Sequence, residues 1–193
     1  MTEPSSSRPP RLVPDRPFPA YAYIPGRTPH PTRDPDGHSY GGTLGESEPP
    51  DPPDPMDWSA CRDYLYGIDL FNHGFYWEAH EAWEGLWVAC GRRGPTATYL
   101  QALINLAAAG FKARWGNARG MRANSGTALR LFKSAAAQLG TTETRYMGLD
   151  LRALTDAAAT ISKPQPTTKR APTTKRAPGD KTVLAFNLLL RPD

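Results

Sequence analysis

Apolar side chains recur at helical spacing through the middle of the chain and are sparse toward both ends. Between residues 56 and 161 they fall three and four positions apart, which is the period of one face of an α-helix. Breaks in this pattern predict five helices, at about 57–72, 75–91, 96–115, 119–139 and 151–161. No run alternates with the period of a strand. The predicted class is therefore all-α, a compact bundle of about five antiparallel helices with irregular N- and C-terminal arms.

Capping and turn residues mark the ends of these helices. Asp57 is the expected N-cap of the first helix, because its carboxylate can accept hydrogen bonds from free backbone N–H groups. His73 and Gly74 form the expected stop of that helix. Thr96 or Thr98 is the expected cap of the third helix.

Composition divides the chain into three parts. Residues 1–55 hold 15 of the 21 prolines, carry a net charge of −3 and are too poor in aliphatic side chains to form a core alone. Residues 56–161 form the predicted helical domain, with a net charge of +2. Residues 162–193 have a net charge of +5 and repeat Thr-Thr-Lys-Arg-Ala-Pro in tandem at 167–178. We expect a Pro-rich arm, a helical domain, and a basic linker whose apolar end, 182–190, docks back as an extended segment.

The sequence predicts a cytoplasmic protein without a membrane partner. No charged start is followed by the apolar run of a signal peptide. The most apolar stretch, 100–111, contains polar residues and is too short to span a bilayer. Cys61 and Cys90 show no paired spacing, so we expect them to be reduced and structural.

The candidate chemistry lies on the second helix, between Trp77 and Trp87. His80 and Glu84 are four residues apart and therefore share a helix face that can chelate a divalent metal ion. The run His-Glu-x-x-Glu lacks the second histidine of the zinc-protease motif. Glu81 lies about 100° around the helix from His80. We expect it to join the same ion only with difficulty.

Other residues are assigned supporting roles at this site. Glu81 and Glu78 are the candidates for a general base or for supporting the ligands. The possible third metal ligand is His30 or His38, if the N-terminal arm packs on the domain. The alternative interpretation is structural. His80 then hydrogen-bonds a neighbouring group, and the glutamates are solvated or paired with arginines.

A second feature is the distribution of charge beyond the candidate site. No acidic residue lies between Glu84 and Glu143, whereas eight basic residues do. The acidic helix and the basic half can pair across the bundle as surface ion pairs. Alternatively, the basic half forms an anion site or a nucleic-acid site, with Trp115 stacking on a base. The candidate anion-binding residues are Arg92, Arg93, Lys112 and Arg114.

Two segments resemble a known family. The runs 70–87 and 99–109, followed by the Gly116-Asn117 break, are similar to the prokaryotic domain-of-unknown-function family 309. The resemblance covers about residues 58–135 and implies a compact helical fold. It implies no activity, because the family has none established. The motif positions that it indicates are Glu78, His80, Glu81, Glu84, Trp87 and Gln101. Ala102 and Asn105 depart from the family pattern, where glycine and glutamine are usual.

Three functions stay open, in decreasing order of support. The first is a divalent metal or small-ligand site at His80 and Glu84, with Gln101 orienting its partners through an amide that both donates and accepts. The second is a helical interaction module that binds a protein partner. The third is nucleic-acid or anion binding by the basic half. Whether the protein is an enzyme is left open.

Overall fold

Five α-helices form the body of the structure, a computed structural model that describes residues 9–41, 50–140, 144–164, 185 and 188–193. The helices are α1 (Arg62–Asn72), α2 (Tyr76–Ala89), α3 (Gly94–Arg114), α4 (Ala118–Leu139) and α5 (Leu151–Ser162). The all-α class and the bundle architecture predicted from the sequence are confirmed.

Each helix packs against the next one in the chain, so that α3 lies between α2 and α4. Short connections make consecutive helices antiparallel neighbours. Their apolar faces meet in one core, where the aromatic side chains are fully buried. The largest of these are Trp83, Tyr64, Tyr76, Tyr99, Phe71 and Phe132. Because α3 separates α2 from α4, the acidic helix and the most basic helix face different parts of the surface.

Two helix starts differ from the sequence prediction. A single 3-10 turn, Trp58–Ala60, precedes α1, and the Asp57 side chain caps no backbone N–H group. Helix α3 begins at Gly94, before either candidate threonine cap. Pro95 occupies its first turn, where the missing N–H group of proline would have no helical partner in any case. The proline was the better start signal.

A two-stranded hairpin that the sequence pattern did not predict connects α4 to α5. Strands β1 (Arg145–Tyr146) and β2 (Leu149–Asp150) pair antiparallel. The turn residues Met147 and Gly148 both have positive φ, 47° and 78°, as a two-residue type I′ turn requires. Strands of two residues are too short to show a period-two pattern, so the sequence gives no signal for this hairpin, and the all-α class still holds.

The N-terminal arm lies against α1 without forming a helix or strand between residues 9 and 41. Asp69 of α1 accepts hydrogen bonds from two consecutive backbone N–H groups, those of Leu12 (2.8 Å) and Val13 (2.9 Å). Asp69 and Val13 are each 1% exposed. A buried carboxylate therefore satisfies the backbone of the arm where it enters the core.

The C-terminal segment docks one helical turn further along α1. Leu190 is buried, and its backbone N–H and C=O groups both bond to the side chain of Asn72, each at 2.7 Å. The expected docking of 182–190 is confirmed at Leu190. Residues 182–184, 186–187 and the basic repeat at 167–178 lie outside the described residues. No helix in the described part of the chain is long and apolar enough to cross a membrane.

Candidate metal centre

The orientation of α2 is fixed by the contact of Trp83 with Gly67 of α1. A Cβ atom added at Gly67 would lie 2.2 Å from Trp83 Nε1, so only glycine lets the indole approach so closely. Trp83 Nε1 also donates a hydrogen bond to the Tyr64 carbonyl at 3.2 Å. With this face buried, His80 and Glu84 are turned toward the edge of the bundle.

His80 lies between two glutamates, one at each ring nitrogen. Glu81 Oε1 is 3.1 Å from Nδ1, and Glu84 Oε2 is 3.8 Å from Nε2. One donor atom from each of the three residues lies within 4.8 Å of the other two. The side chains are partly open to solvent, with exposed fractions of 29%, 41% and 47% for His80, Glu81 and Glu84.

Glu81 approaches His80 although their Cβ directions differ by about 100° on the helical wheel. The separation of about 100° refers to the Cβ directions, whereas a glutamate side chain has three rotatable bonds that can carry its carboxylate sideways. In the structure Glu81 reaches the His80 ring. It is the third donor of the group.

The arrangement is chemically suited to a divalent ion after a small adjustment. An imidazole binds a given ion through one nitrogen. One of the two exposed glutamates must therefore rotate until both carboxylates lie on the same side of the ring as that nitrogen. One nitrogen and two carboxylate oxygens suit Zn²⁺, Mn²⁺ or Fe²⁺. Three protein ligands on one exposed helix face leave further coordination positions to water or to a small ligand.

Among the described residues, the two glutamates have no basic partner other than His80. In the described part of the chain, neither Glu81 nor Glu84 forms an ion pair with a lysine or arginine. The sequence-based interpretation that the acidic helix pairs with the basic half across the bundle is therefore wrong for these residues. Among the described residues, the His80 ring is the contact that both carboxylates share.

Glu78 belongs to a different environment. It is buried, with 5% exposed, and its Oε1 accepts hydrogen bonds from Tyr23 N (2.8 Å) and His38 Nε2 (3.3 Å). Its Oε2 is buried without a hydrogen-bond partner among the described residues. Glu78 lies two residues before His80, so the Cβ directions of the two residues differ by about 200° around the helix axis. Glu78 therefore anchors the N-terminal arm and is not brought together with His80.

The two N-terminal histidines accompany Glu78. His38 bonds to its carboxylate, and the His30 ring packs against Tyr23 and Trp77 with centroid distances of 5.0 and 6.0 Å. Neither belongs to the group of donors around His80 in the described residues. The arm does pack on the domain, as the third-ligand hypothesis required, but His38 contacts Glu78 and His30 contacts Trp77 instead of the donors around His80.

Gln101 is not brought to the candidate centre. It lies half-buried on α3, where its backbone carbonyl accepts a hydrogen bond from Asn105 Nδ2 at 2.8 Å. Within the described residues its side-chain amide makes no hydrogen bond to His80 or to a glutamate. The orienting role expected for Gln101 has no contact to support it.

The four anion-binding candidates are divided between the two ends of α3. Arg92 and Arg93 precede the helix, whereas Lys112 and Arg114 lie in its last turn. A 21-residue helix places these pairs about 30 Å apart, so they do not form one site. Arg114 Nη1 donates to the Gly74 carbonyl at 2.7 Å and has a structural role there.

Cys61 and Cys90 are partly buried, and neither is paired in a disulfide. Burial raises the pKa of the Cys61 and Cys90 thiols, which favours unreactive thiols.

Asp69 and Asn72, which hold the two arms, were missed by the sequence analysis. The available signal was a pair of polar residues on a helix face whose neighbours, 68, 70 and 71, are apolar.

Comparison with known proteins supports the family resemblance over the centre of the chain. Residues 64–124 match the model of a family described as Domain of unknown function (DUF309). No curated protein matches the chain. The matched segment runs from α1 into α4 and includes His80, Glu81 and Glu84.

Proposed function

We propose that this protein binds a divalent metal ion on α2, with His80, Glu81 and Glu84 as its protein ligands. The observation that carries the proposal is the convergence of three donor atoms within 4.8 Å. Two carboxylates without a lysine or arginine partner among the described residues favour a cation between them. An ion held by three residues of one helix keeps positions for water or a small anionic ligand.

The proposal is tested by metal titration of the full chain. Calorimetry and elemental analysis with Zn²⁺, Mn²⁺ and Fe²⁺ should give one bound ion per chain. His80→Ala and Glu84→Gln should each weaken binding at least about tenfold, because each removes one of three ligands. Affinity should fall on acidification, since protons compete for the imidazole nitrogen.

A matched control separates coordination from general electrostatics. Asp156 is an exposed acidic residue on α5 whose side chain has no partner among the described residues, and Asp156→Asn removes the same charge as Glu84→Gln. Binding in Asp156→Asn should equal that of the parent chain. If His80→Ala and Asp156→Asn bind metal equally well, or if the parent chain takes up no ion and its Tm does not rise with added metal, the proposal is wrong.

A further inference from the structure

Four cationic side chains form one stripe along α4, which we call the basic stripe: Arg119, Arg122, Arg130 and Lys133. The four residues are separated by three, eight and three positions. At about 100° of rotation per residue, their side chains lie within an arc of about 80° around the helix axis. The stripe is about 20 Å long, from the 1.5 Å rise per residue. Arg122 is half-buried and the other three are exposed.

The charge of the basic stripe is not neutralised within the described part of the chain. None of its four residues forms an ion pair there. Only Arg130 has a side-chain hydrogen bond, to Thr127 Oγ1 at 3.1 Å. Residues 85–142 contain no acid at all, and α3 stands between the stripe and the glutamates of α2. Like charges three residues apart destabilise a helix slightly, so a polyanion would relieve a cost that the fold itself leaves.

The surface between the cations is low and open. Ala123, Gly126 and Ala137 lie on the same face, and a Cβ atom at Gly126 would meet nothing within 4 Å. The bulky side of α4 faces inward, with Phe132 fully buried. A helix that lies on a membrane needs bulky apolar residues beside its cations, and this face has none. The stripe is therefore suited to a rigid, close-lying polyanion.

We propose that the basic stripe binds the phosphate backbone of a nucleic-acid duplex. Each strand of a duplex presents one phosphate per about 3.4 Å of axis, so the stripe spans about six phosphates. Arginine guanidinium groups bind phosphate oxygens in a bidentate manner, and three of the four cations are arginines. Contacts to phosphates carry no sequence information, so the expected binding is independent of sequence. It does not depend on the metal ion proposed at His80, because the two surfaces are separate.

The test is fluorescence anisotropy of the full chain with a labelled duplex of about 20 base pairs and with one strand of it. The stripe variant carries Arg119→Gln, Arg122→Gln, Arg130→Gln and Lys133→Gln. Glutamine keeps helix propensity, so the fold should be retained, and circular dichroism checks this. The matched control carries Arg27→Gln, Arg33→Gln, Arg152→Gln and Lys163→Gln, which removes the same charge from exposed positions outside the stripe.

The expected result is loss of duplex affinity in the stripe variant and a change below about threefold in the control. Four phosphate contacts contribute about 3.6 to the salt slope, so their share of the affinity falls about 150-fold when salt rises fourfold. The stripe variant should lose that part of the slope. Equal losses in both variants, tighter binding of the single strand than of the duplex, or binding to phosphatidylserine vesicles without binding to the duplex would each overturn the proposal.

Discussion

Asn72 binds both backbone groups of Leu190, 118 positions later in the chain, through the two ends of one side-chain amide. The amide donates to the carbonyl and accepts from the N–H group, as a neighbouring β-strand would. Asp69 and Glu78 do the same for backbone N–H groups of the N-terminal arm. Polar side chains on buried helix faces thus take the place of secondary structure for the two arms.

Replacing Asn72 should release the C-terminal segment. Asn72→Ala removes two buried hydrogen bonds, a net loss of about 2 kcal/mol, or about 30-fold in the opening of this contact. Hydrogen exchange of the Leu190 amide measures it. Asn105→Ala is the control, because among the described residues that amide bonds only to the Gln101 carbonyl within α3. An unchanged Leu190 exchange rate in Asn72→Ala would show that other contacts hold the segment.

Neutralising Glu78 should loosen the N-terminal arm. Glu78→Gln weakens the charge-assisted hydrogen bonds from Tyr23 N and His38, and it places an amide N–H₂ group where Oε2 is buried without a partner. We expect a loss of about 1–3 kcal/mol and faster exchange of the Tyr23 amide.

Glu84→Gln serves as the control for this experiment, since Glu84 is half-exposed and contacts His80 rather than the arm. It should leave Tyr23 exchange unchanged while weakening metal binding, and Glu78→Gln should do the reverse. The prediction would be contradicted if both variants altered arm exchange to the same extent.

Two glycine substitutions should have opposite effects on stability. Gly67→Ala would force a Cβ atom to 2.2 Å from the fully buried Trp83 ring, and we expect a loss of about 1–3 kcal/mol. Gly126→Ala adds a methyl group in open space within α4 and should gain about 0.5–1 kcal/mol. Thermal or denaturant unfolding compares them. Equal effects would mean that the Trp83 contact does not restrict position 67.

The protein should become less stable at alkaline pH because Tyr64 and Tyr99 are buried. Burial raises the pKa of Tyr64 and that of Tyr99 above the ordinary value of 10.0. Between pH 10 and the folded-state pKa, the unfolded chain therefore binds fewer protons than the folded one. The stabilisation is complete below about pH 10 and is lost as pH rises through the folded-state pKa.

Tyr99→Phe isolates this effect. Tyr64 donates to the Met147 carbonyl at 2.8 Å, so the Tyr99 hydroxyl donates to Tyr64. Removing that hydroxyl should lower the free energy of unfolding by about 1 kcal/mol at neutral pH. Above pH 10, the free energy of unfolding should then fall less steeply with pH. Unfolding titrations at several pH values measure both. An unaltered slope above pH 10 would rule out Tyr99 as a contributor.

Helices were predictable from the sequence because each one buries an apolar face with its own period. The hairpin around Met147 was not, since two-residue strands carry no period. The pair His80 and Glu84 was predictable from spacing on one helix, whereas the approach of Glu81 depends on side-chain rotation. The burial of Glu78 was not predictable, because its partner Tyr23 lies 55 residues away.

The basic half illustrates the same limit. Its lack of acids was visible in the sequence, and from that came an anion site combining Arg92 with Lys112. The length of α3 separates these residues, whereas the cations of the basic stripe share one face of α4, a helix that the sequence pattern already predicts at about 119–139. The composition shows that this half of the domain is basic, and helix geometry shows which of its cations share one face.

The anchoring of both arms on α1 has a mechanical consequence. Asp69 and Asn72 are three residues apart, and the segments that they hold line one cavity of about 330 Å³. Tension applied between Leu12 and Leu190 would therefore be carried by a single turn of one helix. Val13 and Leu190 are buried beside this turn, so the load would enter the core there, and the arms would detach before the helices separate.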